Sequence, residues 1–367
     1  MKRVGIYTYM LNNYGAVLQA YALQTFLSKY KNCEVEIINF KTDKHLRADR
    51  LFKPREGLLR NLVFVFLTLL HYCALSKRRK RTHKFKQDFY NLSQTYSSVD
   101  ELLSNPPKKD IHVSGSDQVF NPTSEYMPIY YLQFPKGDSK KVAYAPSFGI
   151  SKFTQQQKES IRNFICDFDA LSCREVTGAN LLSELTGKEI PVVVDPTLLL
   201  SSSDWSKIAV QPNIKVKYIF VYDLNGGNNL IHIAKRIQQV TGYKIICVTG
   251  NIAKFYKGCT QVYSAGPCEF VGWFKNAEYV VTDSFHGTMF SLIWGKPFFT
   301  YIATMSSATR IYSILSQLGL RDRIVENGKV SEFTYNQPQE FQAIDYSRIL
   351  VNSIRFINNE ILNEKIQ

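Results

Sequence analysis

The sequence predicts an α/β protein of two doubly wound, Rossmann-like domains. Short apolar runs rich in β-forming residues alternate with longer segments whose apolar residues recur at helical spacing, as in parallel sheets covered by helices. The alternation runs twice, from Val4 to Val194 and from Tyr218 onward, with a polar, turn-rich stretch between. A length of 367 residues suits two domains with large cores.

Val4 to Thr8 reads as a buried opening strand, and Ala16 to Lys29 as a helix with apolar Val17, Leu18, Ala20, Tyr21, Leu23 and Leu27. Val35 to Phe40 is the next strand, which opens a βαβ unit. The lysine-rich segment 41–56 interrupts the pattern, and two helices follow up to about Tyr90. Further strands are expected at Ile111–Ser114, Lys141–Ala145, Ala170–Cys173 and Val192–Val194, with helices at Thr154–Asp167 and Glu175–Leu185. Ser201 to Asn213 is rich in turn residues. Beyond it come strands at Tyr218–Tyr222, Lys244–Thr249, Tyr279–Thr282 and Pro297–Ile302. Helices are expected at Asn229–Thr241, Glu269–Asn276, Gly287–Trp294, Ser307–Leu318 and Asp345–Glu364. The expected division is an N-terminal domain over 1–200 with a helical insertion near 57–90, a linker over 201–214, and a C-terminal domain over 215–338. A final helix within 339–367 is expected to pack back on the N-terminal domain.

The formal net charge is +14, which suits anionic partners: nucleic acid, lipid head groups, or phosphorylated and carboxylated metabolites. No zinc finger, RRM signature or helix-turn-helix pattern accompanies the charge, so nucleic acid is set aside. Seven cysteines without a CxxC fit neither a zinc site nor a disulfide framework, and most read as core residues in a reducing cytoplasm. The opening residues read as a strand, not as a signal core.

Leu58 to Leu75 is the most apolar stretch, and Lys77-Arg78-Arg79-Lys80-Arg81 follows at once, with Lys84 and Lys86 beyond. The run is too short and too broken by Arg60, Asn61 and His71 to span a bilayer. Two readings stand. One is a buried core helix followed by a solvated basic helix. The other is a segment, 57–86, lying peripherally on an anionic membrane at the inner leaflet.

Ligands of doubly wound folds bind at the carboxyl ends of the strands, so the loops there are the candidate sites. Asn12-Asn13-Tyr14-Gly15 opens a helix whose first N–H groups can hold an anion or sugar, and serves equally as a plain turn. Gly115-Ser116-Asp117-Gln118 carries hydrogen-bonding side chains suited to sugar hydroxyls, or to an Asx-type turn. Arg174, where a strand gives way to a helix, can grip a carboxylate or phosphate, or pair with Glu175 or a nearby acid. Thr282-Asp283-Ser284-Phe285-His286-Gly287 is the most specific. An apolar strand ends in it, Asp283 or Ser284 can cap the following helix, and His286 sits among unpaired N–H groups at the helix start, placed to act as base or hydrogen-bond donor.

Asn13-Tyr14-Gly15-Ala16, Gly115-Ser116-Asp117-Gln118, Tyr144-Ala145-Pro146-Ser147-Phe148-Gly149, Arg174-Glu175, Asp195-Pro196-Thr197-Leu198 and Thr282-Asp283-Ser284-Phe285-His286-Gly287 occur in this order. As an ordered set they resemble the polysaccharide pyruvyl transferase family over about residues 5–325. The resemblance implies a GT-B-like fold with the active site in the inter-domain cleft. It also implies phosphoenolpyruvate as donor, a sugar or lipid-linked saccharide as acceptor, and a pyruvate ketal on a capsular, exopolysaccharide or other cell-surface glycan as product. No redox cofactor or metal is implied.

On this reading His286 is the general acid/base. Arg174, Ser284, Asp283, Arg310 and Gly287 lie toward the donor, and Asn13, Tyr14, Gly15, Ser116, Asp117 and Gln118 toward the acceptor. Many members carry an arginine two residues before the motif histidine; this chain has Ser284 there, so Arg174 or else Arg310 must hold the donor anion. Two rivals remain. One is a GT-B-type glycosyltransferase using a nucleotide sugar; the other is a non-catalytic glycan-binding homologue.

Overall fold

The computed structural model describes residues 1–10, 13–53, 57–225, 227–303, 305–335 and 344–362. Two six-stranded sheets account for its strands. The first joins β1 (Lys2–Tyr7), β2 (Cys33–Phe40), β3 (Leu92–Tyr96), β4 (Ile111–Ser114), β5 (Lys140–Ala143) and β6 (Ala170–Leu171) in the order β3-β2-β1-β4-β5-β6. The second joins β7 (Tyr218–Asp223), β8 (Lys244–Thr249), β9 (Thr260–Val262), β10 (Tyr279–Thr282), β11 (Phe298–Ile302) and β12 (Ile324–Glu326) in the order β12-β11-β10-β7-β8-β9. Every pairing is parallel. Counted from its own first strand, each sheet runs 3-2-1-4-5-6, the Rossmann order, so the fold class expected from the sequence is the one observed.

The central strands follow from their composition. Tyr218-Ile219-Phe220-Val221-Tyr222-Asp223 is buried at all six positions, as a parallel strand covered on both faces should be. Three strands escape sequence reading: β3, β9 and β12. All three are short sheet edges, five residues or fewer with one buried position at most, so they carry no continuous apolar run. Val192–Val194, expected as a strand, makes a single bridge to Cys173. Its backbone turns away instead, and the Val194 N–H donates to Ser353 Oγ at 2.8 Å.

The chain divides into two compact units, one of Met1–Leu46, Phe89–Leu200 and Tyr346–Gln367 and the other of Arg47–Asp88 and Ser201–Asp345. Two boundaries differ from those expected. The helices Leu58–Leu70 and Tyr72–Phe89 group with the second unit, where Arg81 pairs with Glu269 at 2.8 Å and donates to the Ser264 carbonyl at 2.9 Å. The segment 201–214 is no free linker. Ser201 caps the short helix Ser202–Ser206, and its Trp205 is fully buried against Phe290, ring centroids 4.9 Å apart. Within the first unit the helix Ser347–Ile357 buries Ser353, Phe356 and Ile357, and Phe356 lies 6.3 Å from the Tyr144 ring. All seven cysteines are free; only Cys173 and Cys247 are buried, fewer core thiols than expected.

Candidate functional site

The loops singled out in the sequence lie at the carboxyl ends of strands in both units. In the first unit Asn13 caps the helix Tyr14–Leu27, its side chain accepting from the Gly15 N–H at 2.9 Å. Asn13 is exposed, whereas Tyr14 and Gly15 are buried; Asn12 lies outside the described residues.

Of the remaining motif loops of this unit, the Ser147-Phe148 loop is tied to Glu175, and those of Ser116 and Arg174 meet at Asp195. One of its oxygens accepts from Arg174 Nη1 at 2.6 Å and from Ser116 Oγ at 3.2 Å. The other accepts from the Thr197 N–H at 3.0 Å and its hydroxyl at 2.7 Å. Glu175 accepts from Ser147 Oγ and the Phe148 N–H, both at 3.0 Å. Asp117 stands 3.8 Å from Arg174. Burial opposes the charge on Arg174, but Asp195, Asp117 and Glu175 together raise its pKa above the usual value. The Arg174 and Asp195 side chains are at most 1% exposed. Arg174 is thus committed to a buried carboxylate, the ion pair that the sequence left open, and its partners suit a clamp on four loops better than a grip on a ligand.

Two residues of these loops hold backbone conformations that L-residues rarely adopt. Asp117 has φ 74° and ψ −168°, a region almost confined to glycine, and Ala145 has φ 54°. The Asp117 side chain accepts from the Gln118 N–H at 2.9 Å, which supports the turn. Such strain persists where the surrounding structure over-determines it, and it collects at ligand-binding loops. Ser116 is buried, while Asp117 and Gln118 are half-exposed at the loop surface.

In the second unit the loop after β10 separates four roles. Asp283 turns back to accept from the Leu224 and Asn225 N–H groups at 2.9 and 3.0 Å, tying this loop to the one after β7. Burial raises its pKa, and those two N–H groups partly offset the rise. Ser284 is the cap of the helix Phe285–Ile293, its Oγ accepting from the Gly287 N–H at 3.2 Å. Gly287 packs on β10; a Cβ there would come within 2.4 Å of Thr282 Oγ1. These three expected donor contacts therefore shape the loop.

His286 follows on the first turn of that helix, 7% exposed. Its ring meets the Phe285 ring nearly edge-on, centroids 5.3 Å apart, and the Arg310 guanidinium lies 5.7 Å from the same Phe285 ring. Arg310 comes from the helix Met305–Gln317 and is itself largely buried. An imidazole and a guanidinium thus share one aromatic neighbour at the helix start.

Residues 13–304 match the family model described as polysaccharide pyruvyl transferase. The chain belongs to that family. No curated protein matches the sequence. Solved structures with the same fold include a UDP-N-acetylglucosamine 2-epimerase from Rickettsia bellii, 12% identical with a TM-score of 0.52, covering 99% of this chain and 100% of that one. Another is the Methanocaldococcus jannaschii UDP-GlcNAc 2-epimerase in complex with UDP-GlcNAc and UDP, 16% identical with a TM-score of 0.51, covering 97% and 99%. At such identities the likeness concerns the fold, two Rossmann-type sheets of the GT-B-like class.

Pyruvyl transferase membership suggests a transferase with a pyruvyl donor and a polysaccharide acceptor. In the second unit the His286 imidazole and the Arg310 guanidinium each approach the Phe285 ring. Sequence reading quoted Phe285 and Asp195 within its motifs but gave neither a role; Phe285 is the ring that both His286 and Arg310 approach, and Asp195 joins the Ser116 and Arg174 loops of the first unit. A carboxylate directly after the apolar Val192-Val193-Val194 was the available signal for Asp195. A cavity of about 320 Å³ lined by Asn229, His232, Asn327, Gly328, Val330 and Ser331 lies in the second unit and includes none of the expected site residues. Among the described residues no group of three or more His, Cys, Asp or Glu is arranged to hold a metal ion.

Proposed function

We propose that this chain transfers the three-carbon skeleton of phosphoenolpyruvate to two hydroxyls of a sugar, forming a pyruvate ketal on a cell-surface glycan. The methylene carbon of the donor takes a proton while C2 accepts the first hydroxyl oxygen. Phosphate then leaves, and the second hydroxyl oxygen closes the ring. Of the two hydroxyl protons, one ends on the new methyl group and the other on phosphate, so no redox partner is required.

His286 is the group that moves a proton in this scheme, a role worth roughly 10²–10⁴-fold in rate. Arg310 holds the donor's carboxylate or phosphate, in place of the family arginine whose position Ser284 occupies. Positive charge develops at C2, so the cation belongs on the anionic ends of the donor. Arg174 positions the loops of the first unit, where Asp117 and Gln118 meet the sugar. The observation that supports the reading is that His286 and Arg310 both approach the Phe285 ring at the start of the helix, within 5.3 and 5.7 Å of its centroid.

The test is incubation with phosphoenolpyruvate and galactose- or mannose-type acceptors, read by product mass and phosphate release. A parallel thermal-shift series with phosphoenolpyruvate and nucleotide sugars separates this reading from a glycosyltransferase, because a ligand stabilises the state it binds. Stabilisation by a nucleotide sugar alone would favour the rival.

A further inference from the structure

Among the described residues, a row of exposed apolar side chains includes none of the residues proposed above for the reaction. On the helix Leu58–Leu70, the side chains of Leu58, Leu59, Leu62, Val63, Phe66, Leu69 and Leu70 are all more than half exposed, Phe66 at 65% and Leu70 at 67%. They recur every three or four residues and so form one continuous face. The opposite side faces the body of the second unit. Thr68 is buried, and His71 beyond the helix sets its ring 4.7 Å from that of Tyr263. The helix is therefore neither a core helix nor an unattached one; it is mounted on its polar side with its leucines outward. Isolated exposed apolar residues are ordinary on a protein surface, but a contiguous row of seven marks a contact surface.

What covers this face is indicated by its neighbour. After a bend of 75° the helix Tyr72–Phe89 carries Lys77, Arg79, Lys80 and Lys84, all exposed. Of these, Arg79 pairs with Asp49 at 3.2 Å and Lys84 with Asp88 at 2.9 Å, while Arg81 pairs with Glu269 and Arg78 lies against Gly250. An apolar face continuous with a row of lysines and arginines complements a surface that is oily below and negatively charged above. We propose that this helix pair docks on a lipid bilayer carrying anionic headgroups, with the leucine face in the acyl boundary and the cations at the headgroups.

The proposed placement is on the membrane and not across it, because the two helices reach a span's length only together and are bent by 75° at their junction. Among the described residues no single helix is long and apolar enough to span a bilayer. The apolar helix has 13 residues, about 20 Å at 1.5 Å per residue, against roughly 30 Å of hydrocarbon.

The experiment is co-sedimentation of the full-length protein with phosphatidylcholine vesicles, with and without phosphatidylglycerol, at low and high salt. It needs no substrate, so failure of the proposed reaction leaves it untouched. Wild type is expected to bind the anionic vesicles and release as salt rises. Phe66→Glu with Leu70→Glu is expected to abolish binding. Lys77→Glu with Lys80→Glu is expected to weaken it by roughly 10-fold or more. All four substitutions fall on exposed positions, and an unchanged melting temperature checks folding. Absence of binding to anionic vesicles overturns the proposal, as does binding indifferent to lipid charge. A wild-type dimer that Phe66→Glu with Leu70→Glu dissociates would also overturn it, because the face would then belong to a second copy of the chain.

Discussion

At the start of the helix Phe285–Ile293, neighbouring residues of one motif do different work. Ser284 satisfies the Gly287 N–H, Gly287 admits Thr282, and Asp283 anchors the adjoining loop; His286 is the residue of the motif proposed to move a proton. The sequence made the motif visible because a polar Thr-Asp-Ser follows an apolar strand. It did not divide the roles, because Asp283 acts on Leu224 and Asn225, far off in the chain. Arg310 is expected to act on the donor. Arg310→Gln should raise the KM for phosphoenolpyruvate about 10–100-fold with a small change in kcat, the loss of one charge-assisted contact. An unchanged KM would remove Arg310 from the donor site. Arg174 gives the contrasting prediction. Arg174→Met leaves Asp195 buried without its cation and should cost about 3–5 kcal/mol of stability, measured by denaturant unfolding. Wild-type stability with only weakened donor binding would restore Arg174 as the clamp on phosphoenolpyruvate.

Strand by strand, legibility follows position in the sheet. The opening strand and β2, β4, β5, β7, β8, β10 and β11 have enough buried positions to print an apolar run, while the edges β3, β9 and β12 do not. The core of the first sheet also holds charge that no apolar pattern reveals. Lys141 on β5 is wholly buried, its ammonium donating to the Phe134 carbonyl at 2.7 Å. On β4 next to it, His112 contacts Tyr7 Oη through Nδ1 at 2.9 Å. Burial first, then Lys141 and Lys109, push its pKa from 6.5 down to about 4. The folded state therefore resists protonation that the unfolded chain accepts. The associated stability is fully present above about pH 6.5 and is lost as pH falls toward 4, up to about 3 kcal/mol. His112→Gln should flatten unfolding free energy against pH across that interval. An unaltered slope would place the acid sensitivity elsewhere.

For the whole molecule, two Rossmann-ordered sheets and an ordered set of strand-end loops place the chain among the polysaccharide pyruvyl transferases. The periodic pattern foretold the two sheets. It did not foretell that segment 47–88 belongs with the second unit, since that depends on pairs such as Arg81 with Glu269. It left open whether the most apolar helix is buried or solvent-facing, because composition alone reads the same for both, and the structure shows its apolar residues exposed. The central claim is pyruvyl transfer from phosphoenolpyruvate with His286 moving the proton. Its most direct test compares wild type with His286→Gln in an assay containing phosphoenolpyruvate and a sugar acceptor, read by product mass and released phosphate. The account predicts a ketal product and equimolar phosphate from wild type, and a rate lowered by roughly 10²–10⁴-fold in the variant at unchanged melting temperature. A wild-type enzyme that releases no phosphate across the acceptor series, or a variant with full activity, would contradict it.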